Sequence, residues 1–459
     1  MNLGIGNNPL IIGLGQTGQS CIAYFESVNQ PYHLLDSRAE LAGSERFMTP
    51  LCQSLTFNGL DGNEQDHRSY LQSHDISALI VSPGVRVKGA LFDAAKAIGL
   101  EILGDVELFA RLVQQQHDAH VIAITGSNGK STVTKLLHDL MQQAGLSVSM
   151  GGNIGIPVLQ LLDNPTDWYV LEISSFQLET TRNLIADIAT VLNVTEDHLD
   201  RYDSFEHYKN TKLTLLDMAR QQIIDEDELG ELLNQYPQAK SFSLNQPSDP
   251  DLFWDQDNSE ISFRPSPDQL FRLDMKRAKL PGLHNVRNVM TTLGIWQLAT
   301  FEWSDDLSEF LYDWPGLAHR CAFVKHIDGI DFYNDSKATN VGATEAAIVG
   351  FSSTVGSPLI LIAGGVGKDA DFSSLSGLFA DNLRLLIVLG QDADQIVEQA
   401  GQSVATERVS DMSEAVNTAF ASAQEGDIVL LSPACASLDM YSNYEARGDH
   451  FVSCVEALV

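Results

Sequence analysis

Cysteine is scarce in this 459-residue chain, and its five copies, Cys21, Cys52, Cys321, Cys435 and Cys454, are scattered and odd in number. No C-x-x-C pair occurs. That pattern argues against a disulfide framework and a cysteine-built zinc site, and it predicts reduced thiols in a cytoplasmic protein. Basic residues are also few: 28 Lys and Arg stand against 61 Asp and Glu, a formal net charge of −33. With no basic tract, neither nucleic acid nor an anionic lipid surface is expected as a partner. An anionic substrate must instead be captured by local cations and helix N-termini. No apolar run reaches membrane-spanning length and the N-terminus lacks a charged n-region, so no membrane insertion is expected.

The chain does contain apolar runs that alternate with helical periodicity nearly throughout, in a sequence that is 44% hydrophobic. Such alternation predicts an α/β protein with largely parallel sheets, and the length suits three domains. The boundaries are placed at residues 1–106, 107–316 and 317–459. Strands are expected at Leu10–Ile12, His33–Leu35 and Leu79–Val81 in the first block, giving a Rossmann-like domain. In the second they are expected at Val121–Ile124, Trp168–Ile173 and Ile188–Leu192, giving a P-loop ATPase-like domain. In the third, again Rossmann-like, they fall at Ile330–Tyr333, Leu359–Ala363, Leu385–Leu389 and Ile428–Leu431. The acidic stretch from Asp225 to about Asp274 has weaker periodicity and reads as peripheral to the chemistry.

The segment His120 to Lys135 reads HVIAITGSNGKSTVTK. A short apolar run stops at the turn Gly126-Ser127-Asn128-Gly129, and Lys130-Ser131-Thr132 opens a helix with Val133, Leu136, Leu137, Leu140 and Met141 on one face. Strand, Gly-rich loop and helix N-terminus in that order cradle nucleotide phosphates. Lys130 neutralises phosphate oxygens and the hydroxyl of Ser131 or Thr132 ligates magnesium. Ile124 stands where the common P-loop pattern has its first glycine, but Gly, Lys, Ser and Thr in sequence still point to ATP.

A second turn, Gly13-Leu14-Gly15-Gln16-Thr17-Gly18, follows the first strand as a G-x-G-x-x-G, and Asp36 follows the next strand where a ribose-binding acid would sit. Taken alone this predicts NAD and an oxidoreductase, although the motif specifies a phosphate-binding turn and not the cofactor. Ser82-Pro83-Gly84 is a further candidate ligand-facing loop.

Other residues carry chemistry by type and place. Glu172 ends a buried strand, where a carboxylate can hold magnesium opposite Ser131. His198 lies in the acidic loop of Glu196, Asp197 and Asp200 and is either a metal ligand or simply solvated. Lys212 stands on the apolar face of a helix read over Phe205–Ala219. It is either a lysine snorkelling from the helix edge or a desolvated amine of lowered pKa that can form a carbamate with carbon dioxide. Lys337 and Lys368 follow strands of the third block, near Asp335, Thr339 and Ser437, and two such cations suit a dicarboxylate. Arg320, at the junction of blocks two and three, is placed to clamp a transferring phosphoryl group.

Taken together, the segments AITGSNGKST, MGGNIG, LEISSFQLE, LNVTEDHLDRY, YNDSKATN and LLSPACASLD, in that order along the chain, resemble the Mur ligase family. The NDSKATN and SPACAS segments match the D-glutamate-adding branch of the family. The resemblance implies a cytoplasmic, monomeric ATP-dependent amide ligase of peptidoglycan-precursor synthesis. ATP would phosphorylate the carboxylate of UDP-N-acetylmuramoyl-L-alanine, and the amine of D-glutamate would attack the acyl phosphate. The resemblance replaces NAD at the first turn with the substrate's uridine diphosphate, held by Gln16, Thr17, Asp36, Ser37, Arg38, Ser82 and Gly84, with Asn153 contacting the same substrate. It gives ATP to Gly126 through Thr132, to Asn288 near the adenine, and to Arg320 and Asp335. Two magnesium ions would be held by Ser131, Glu172, His198 and Lys212, the last as N6-carboxylysine. D-Glutamate would be held by Lys337, Thr339, Lys368, Ser437, Leu438 and Tyr444.

Overall fold

The apolar runs form the buried centres of three parallel-rich sheets in a computed structural model of the chain. It describes residues 3–458 apart from 117–118, 198–200, 246–248, 281, 356–357 and 369. The first sheet comprises β1 (Pro9–Ile12), β2 (Tyr32–Leu35), β3 (Cys52–Thr56), β4 (Ala78–Val81) and β5 (Glu101–Leu103). They are ordered β3-β2-β1-β4-β5 and are all parallel. The order reverses between β1 and β4, so the turn after β1 and the loop after β4 open onto one crevice, the usual ligand position in such sheets.

The second sheet comprises β6 (His120–Thr125), β7 (Val148–Gly152), β8 (Trp168–Glu172), β9 (Ala186–Val191), β10 (Ala219–Asp225) and β11 (Lys240–Phe242). Its order is β11-β10-β9-β6-β8-β7, again parallel throughout. The central strand β6 feeds the phosphate-loop turn. The helix Lys130–Gln143 that follows buries Val133, Leu136, Leu137, Leu140 and Met141 completely. Each such side chain contributes about 1.5–3 kcal/mol by leaving water, which anchors the loop at a fixed height above the sheet. An antiparallel three-stranded sheet of β12 (Leu252–Asp255), β13 (Glu260–Ser266) and β14 (Gln269–Asp274) packs beside it.

The third sheet comprises β15 (Ala322–Ile327), β16 (Ile330–Asn334), β17 (Leu359–Ala363), β18 (Leu383–Val388), β19 (Ala405–Arg408) and β20 (Ile428–Leu431). The order is β15-β16-β20-β17-β18-β19, with only the β15 edge antiparallel. It is covered on both faces: Leu361, Val388 and Leu430 pack with Phe351, and Ile360, Ile362 and Val429 with Met412 and Phe451. The first two sheets are less separate. One continuous apolar cluster runs from Leu34 and Ile80 through Val106 and Phe109 to Tyr169, Leu171 and Ile173.

The architecture is the α/β arrangement expected from the sequence, with corrections of detail. The helix read to Ala219 ends at Asp217, and Ala219 begins β10. The stretch Asp225–Asp274 is not peripheral, because Asp225, Glu228, Leu244, Asn245, Trp254 and Gln256 line a cavity that also borders the phosphate loop. Its periodicity is weak because its strands are short and partly exposed. Among the described residues no helix is long and apolar enough to cross a membrane.

Candidate active site

The phosphate loop is built by β6 ending in full burial and by two glycines. Gly129 has a φ of 82°, which favours glycine, and a Cβ there would come within 2.5 Å of Asn288 Oδ1. The loop is braced by the segment leaving β9. Ser127 N–H donates to the Asn193 carbonyl (2.9 Å), and Asn128 N–H donates to Asn193 Oδ1 (2.8 Å). Ser127 Oγ lies 3.0 Å from the Tyr208 hydroxyl and donates to the Thr195 carbonyl at 3.0 Å.

Two ammonium groups converge on one carbonyl of this loop. Lys130 Nζ donates to Gly126 O (2.8 Å) and Ser127 O (2.9 Å), and Lys212 Nζ donates to Gly126 O (2.8 Å). Lys212 is 2% exposed, so it does not snorkel; its ammonium lies 4.8 Å over the Tyr208 ring. Burial, and then the neighbouring Lys130, hold the Lys212 amine well below the usual lysine range. Burial also lowers Lys130, with Glu172 opposing the effect.

Glu172, at the end of β8, is 1% exposed. Its Oε1 accepts from Asn153 Nδ2 (2.7 Å), while Oε2 is buried with no hydrogen-bond partner. A bare carboxylate oxygen beside a phosphate loop is costly unless a cation meets it, and a hard oxygen donor suits magnesium. Asn153, expected to contact the uridine nucleotide substrate, is thus held against the expected metal ligand. Among the described residues, no three His, Cys, Asp or Glu side chains form a metal-holding group. Magnesium commonly takes only one or two carboxylates, the rest being water and phosphate. His198 lies outside the described residues.

Arg320 crosses the seam between the second and third sheets: its Nη2 donates to Ser131 Oγ at 2.8 Å. It is flanked by His319 (φ 62°) and Cys321 (φ 47°), both in the left-handed region that non-glycine residues adopt at a cost of about 1–3 kcal/mol each. Lys368 (φ 55°) and Ala434 (φ 59°) share that conformation in neighbouring loops. Asp335 is buried; Cys321 N–H donates to Oδ1 (3.2 Å) and Ser432 Oγ to Oδ2 (2.8 Å). Burial raises its carboxyl to about 7 despite the Ser432 bond. Lys337 sits 3.9 Å over the Tyr444 ring, and burial together with Arg320 and Lys130 lowers it to about 8. A cavity of about 520 Å³ connects these groups, lined by Asn128, Gly129, Thr132, Asn288, Arg320, Asp335 and Lys337.

The remaining expected residues fall into two groups. Val366 and Ala436 exchange backbone hydrogen bonds (2.8 and 2.9 Å), which places the Lys368 loop beside Ser437. Leu438 is 69% exposed there, and Thr339 is half-buried after the Asp335–Lys337 loop. The second group is the first turn. Leu14 N–H donates to Asp36 Oδ2 (2.8 Å), Ser82 Oγ donates to Gly13 O (2.8 Å), and Arg38 pairs with Asp36 (2.7 Å). The Arg38 bonds hold the Asp36 carboxyl down to about 2. Gln16 opens the following helix, with Thr17 half-buried and Ser37 and Gly84 exposed at the crevice.

Sequence reasoning missed several residues that shape the site. Trp254 and Asn245 line the cavity from a segment whose pattern gave no warning. Arg201, within LNVTEDHLDRY, stacks 3.9 Å over Phe176 and pairs with Glu179. It also donates to the carbonyls of Pro83 (2.7 Å) and Val85 (3.3 Å), tying the second sheet's loop to the first unit. Its place in a quoted motif was the available signal.

Residues 7–104 match the Mur ligase MurD-like N-terminal domain, 124–296 the Mur ligase middle domain, and 319–435 the Mur ligase glutamate ligase domain. The chain is 39% identical over 452 residues to the UDP-N-acetylmuramoylalanine--D-glutamate ligase of Coxiella burnetii (strain RSA 331 / Henzerling II), covering 98% of each. It is 39% identical over 457 residues to the enzyme of that name from Pseudomonas fluorescens, again 98% of each. Among solved structures it is similar to the MurF ligase of Thermotoga maritima in complex with ADP (TM-score 0.61, 15% identity, 99% of this chain and 97% of that one). It is also similar to a type C pseudomurein peptide ligase of Methanothermus fervidus (TM-score 0.60, 15% identity, 98% and 99%). At those identities the structural likeness speaks for the fold, whereas the curated relatives, aligned end to end with this sequence, establish kinship: the chain belongs to the Mur ligase family.

Proposed function

We propose that this protein is an ATP-dependent ligase that joins D-glutamate to UDP-N-acetylmuramoyl-L-alanine in peptidoglycan-precursor synthesis. It works in the cytoplasm, as a monomer, on small molecules. The observation that carries the reading is the convergence of Lys130, Arg320, Lys337 and the buried Glu172, near enough to perturb one another, beside a seam cavity that Arg320 and Lys337 line, in a chain aligned end to end with ligases of that name.

The first unit, residues 1–106, takes the uridine diphosphate in the β1–β4 crevice. The central unit, 107–316, takes ATP on the phosphate loop, and the last, 317–459, takes D-glutamate. The substrate carboxylate attacks the γ-phosphorus of ATP and ADP leaves. Lys130 and Arg320 face the charge that develops on the transferring group, where fixed cations in a water-poor site lower the barrier most. The D-glutamate amine then attacks the acyl carbon, and phosphate departs with the C–O electron pair as the amide forms. Lys337, Lys368, Thr339, Ser437 and Tyr444 hold the amino acid's carboxylates against that carbon, and its loss of freedom supplies much of the rate. Ser131, Glu172, His198 and Lys212 would hold two magnesium ions, which when bound neutralise phosphate oxygens. Lys212 fits N6-carboxylysine because its buried, lowered amine can attack carbon dioxide in the neutral form, losing one proton.

Phosphate release from ATP with UDP-N-acetylmuramoyl-L-alanine decides the matter, comparing D-glutamate with L-glutamate, L-lysine and meso-diaminopimelate. Release only with D-glutamate is expected. Release with another amino acid overturns the specificity and keeps a ligase, and no release with any of them overturns the function.

A further inference from the structure

Arg447 lies in the helix Tyr444–Glu456, outside every segment that sequence reasoning singled out, and it is 3% exposed. No other arginine among the described residues is buried. Its guanidinium is spent wholly on loops of the third sheet. Nε donates to Ser336 Oγ (3.0 Å) and Nη2 to Ser336 O (2.8 Å), both in the loop after β16. Nη1 donates to Cys435 O (3.0 Å), in the loop after β20, and more weakly to Gly364 O (3.4 Å), in the loop after β17. Ser336 Oγ passes the connection on by donating to Tyr444 O (2.8 Å), at the start of Arg447's own helix.

These segments are the ones that carry the proposed D-glutamate contacts. Lys337 and Thr339 follow Ser336, Lys368 follows Gly364, Ser437 follows Cys435, and Tyr444 opens the helix. A buried cation is a costly way to fill space, since an apolar side chain of similar volume is commonly as stable or more so. What a planar guanidinium adds is a rigid fork of donors whose angles fix several acceptors at once. We infer that Arg447 is a positioning residue for the amino-acid substrate, holding three loops and a helix start at the spacing D-glutamate needs without touching it. The inference rests on the reading of these loops as the D-glutamate site.

The test is steady-state kinetics of Arg447→Lys and Ser336→Ala on the full chain, varying D-glutamate, ATP and UDP-N-acetylmuramoyl-L-alanine in turn. Thermal melts and hydroxylamine trapping of the acyl phosphate without D-glutamate accompany them. Lysine keeps the charge and loses the fork, so KM for D-glutamate should rise about tenfold or more while the other two KM values stay within about twofold. Trapping should persist, and Ser336→Ala should move the D-glutamate KM in the same direction by less. A folded Arg447→Lys with wild-type KM for D-glutamate, or an equal rise for all three substrates, overturns the inference. If Arg447→Lys does not fold, Ser336→Ala decides by the same criterion. A wild-type enzyme that releases no phosphate on adding D-glutamate fails the functional reading itself, and the inference with it. Wild-type release with unaltered variants fails the inference alone.

Discussion

The chain contains two glycine turns that link a strand to a helix, Gly13–Gly18 and Gly126–Gly129, and they differ in what surrounds them. At the first, the nearest charge is the Asp36 carboxylate, which accepts Leu14 N–H and is paired with Arg38. At the second, Lys130 and Lys212 share a carbonyl, Arg320 reaches in from another sheet, and Glu172 keeps a bare oxygen. Backbone shape makes both turns able to cradle phosphate. Charge brought from far along the chain gives only the second a group of cations beside a buried, unmatched carboxylate oxygen.

Four substitutions break or sharpen this contrast. Lys130→Ala should lower kcat by about 10³-fold, because a preorganised cation is lost from the transferring group. Calorimetric affinity for UDP-N-acetylmuramoyl-L-alanine should be unchanged, and an equal loss there would erase the distinction between the turns. Asp335 tests the part of the seam contributed by the third sheet. Its carboxyl is raised from 3.8 to about 7 when folded. The unfolded chain therefore ionises first, and stability falls as pH rises between those values and is flat above them. Over that window the loss is on the order of 4 kcal/mol, and Asp335→Asn should remove it. Chemical denaturation across that range, with an unaltered slope in the variant, would refute the assignment. Lys212→Ala should cost about 10²-fold in kcat, as ligand-shell losses do, and added short carboxylic acids should restore part of it. Gly18→Ala acts on the other turn, where a Cβ would collide with the Gly13 carbonyl oxygen. It should raise KM for the uridine nucleotide substrate about tenfold through about 1–3 kcal/mol of strain, with KM for ATP unmoved.

What sequence reasoning reached follows the range of the forces involved. Strands such as Leu359–Ala363 and the helix Lys130–Gln143 are legible because burial imposes a period on consecutive residues. The phosphate loop is legible because its glycines, lysine and hydroxyls are contiguous. Exposed or short strands, among them Ala405–Arg408 and Lys240–Phe242, leave no such period and went unread. Lys212 was ambiguous for a different reason. An amphipathic pattern shows that a lysine faces inward, but not that its amine ends 2.8 Å from Gly126 O, 86 positions away. The Asp225–Asp274 segment was misjudged on the same ground: composition records polarity, and only the fold brings Trp254 to the cavity. The Arg447 fork joins Ser336, Gly364 and Cys435, which nothing in their spacing connects.

The apolar cluster that runs from Leu34 through Phe109 to Tyr169 has a consequence for how such chains can be recombined. Two sheets that share one core must mutate together, since a volume change on one side is felt as a void or a clash on the other. A chimera that took its first hundred residues from a distant relative would inherit a mismatched seam and melt early. The third sheet is packed on both faces by its own helices and meets the second unit through polar contacts, among them Arg320 on Ser131 and Asn340 on Asn128. Exchanging it would leave its own core intact and disturb those polar contacts, the reverse of what the first seam imposes.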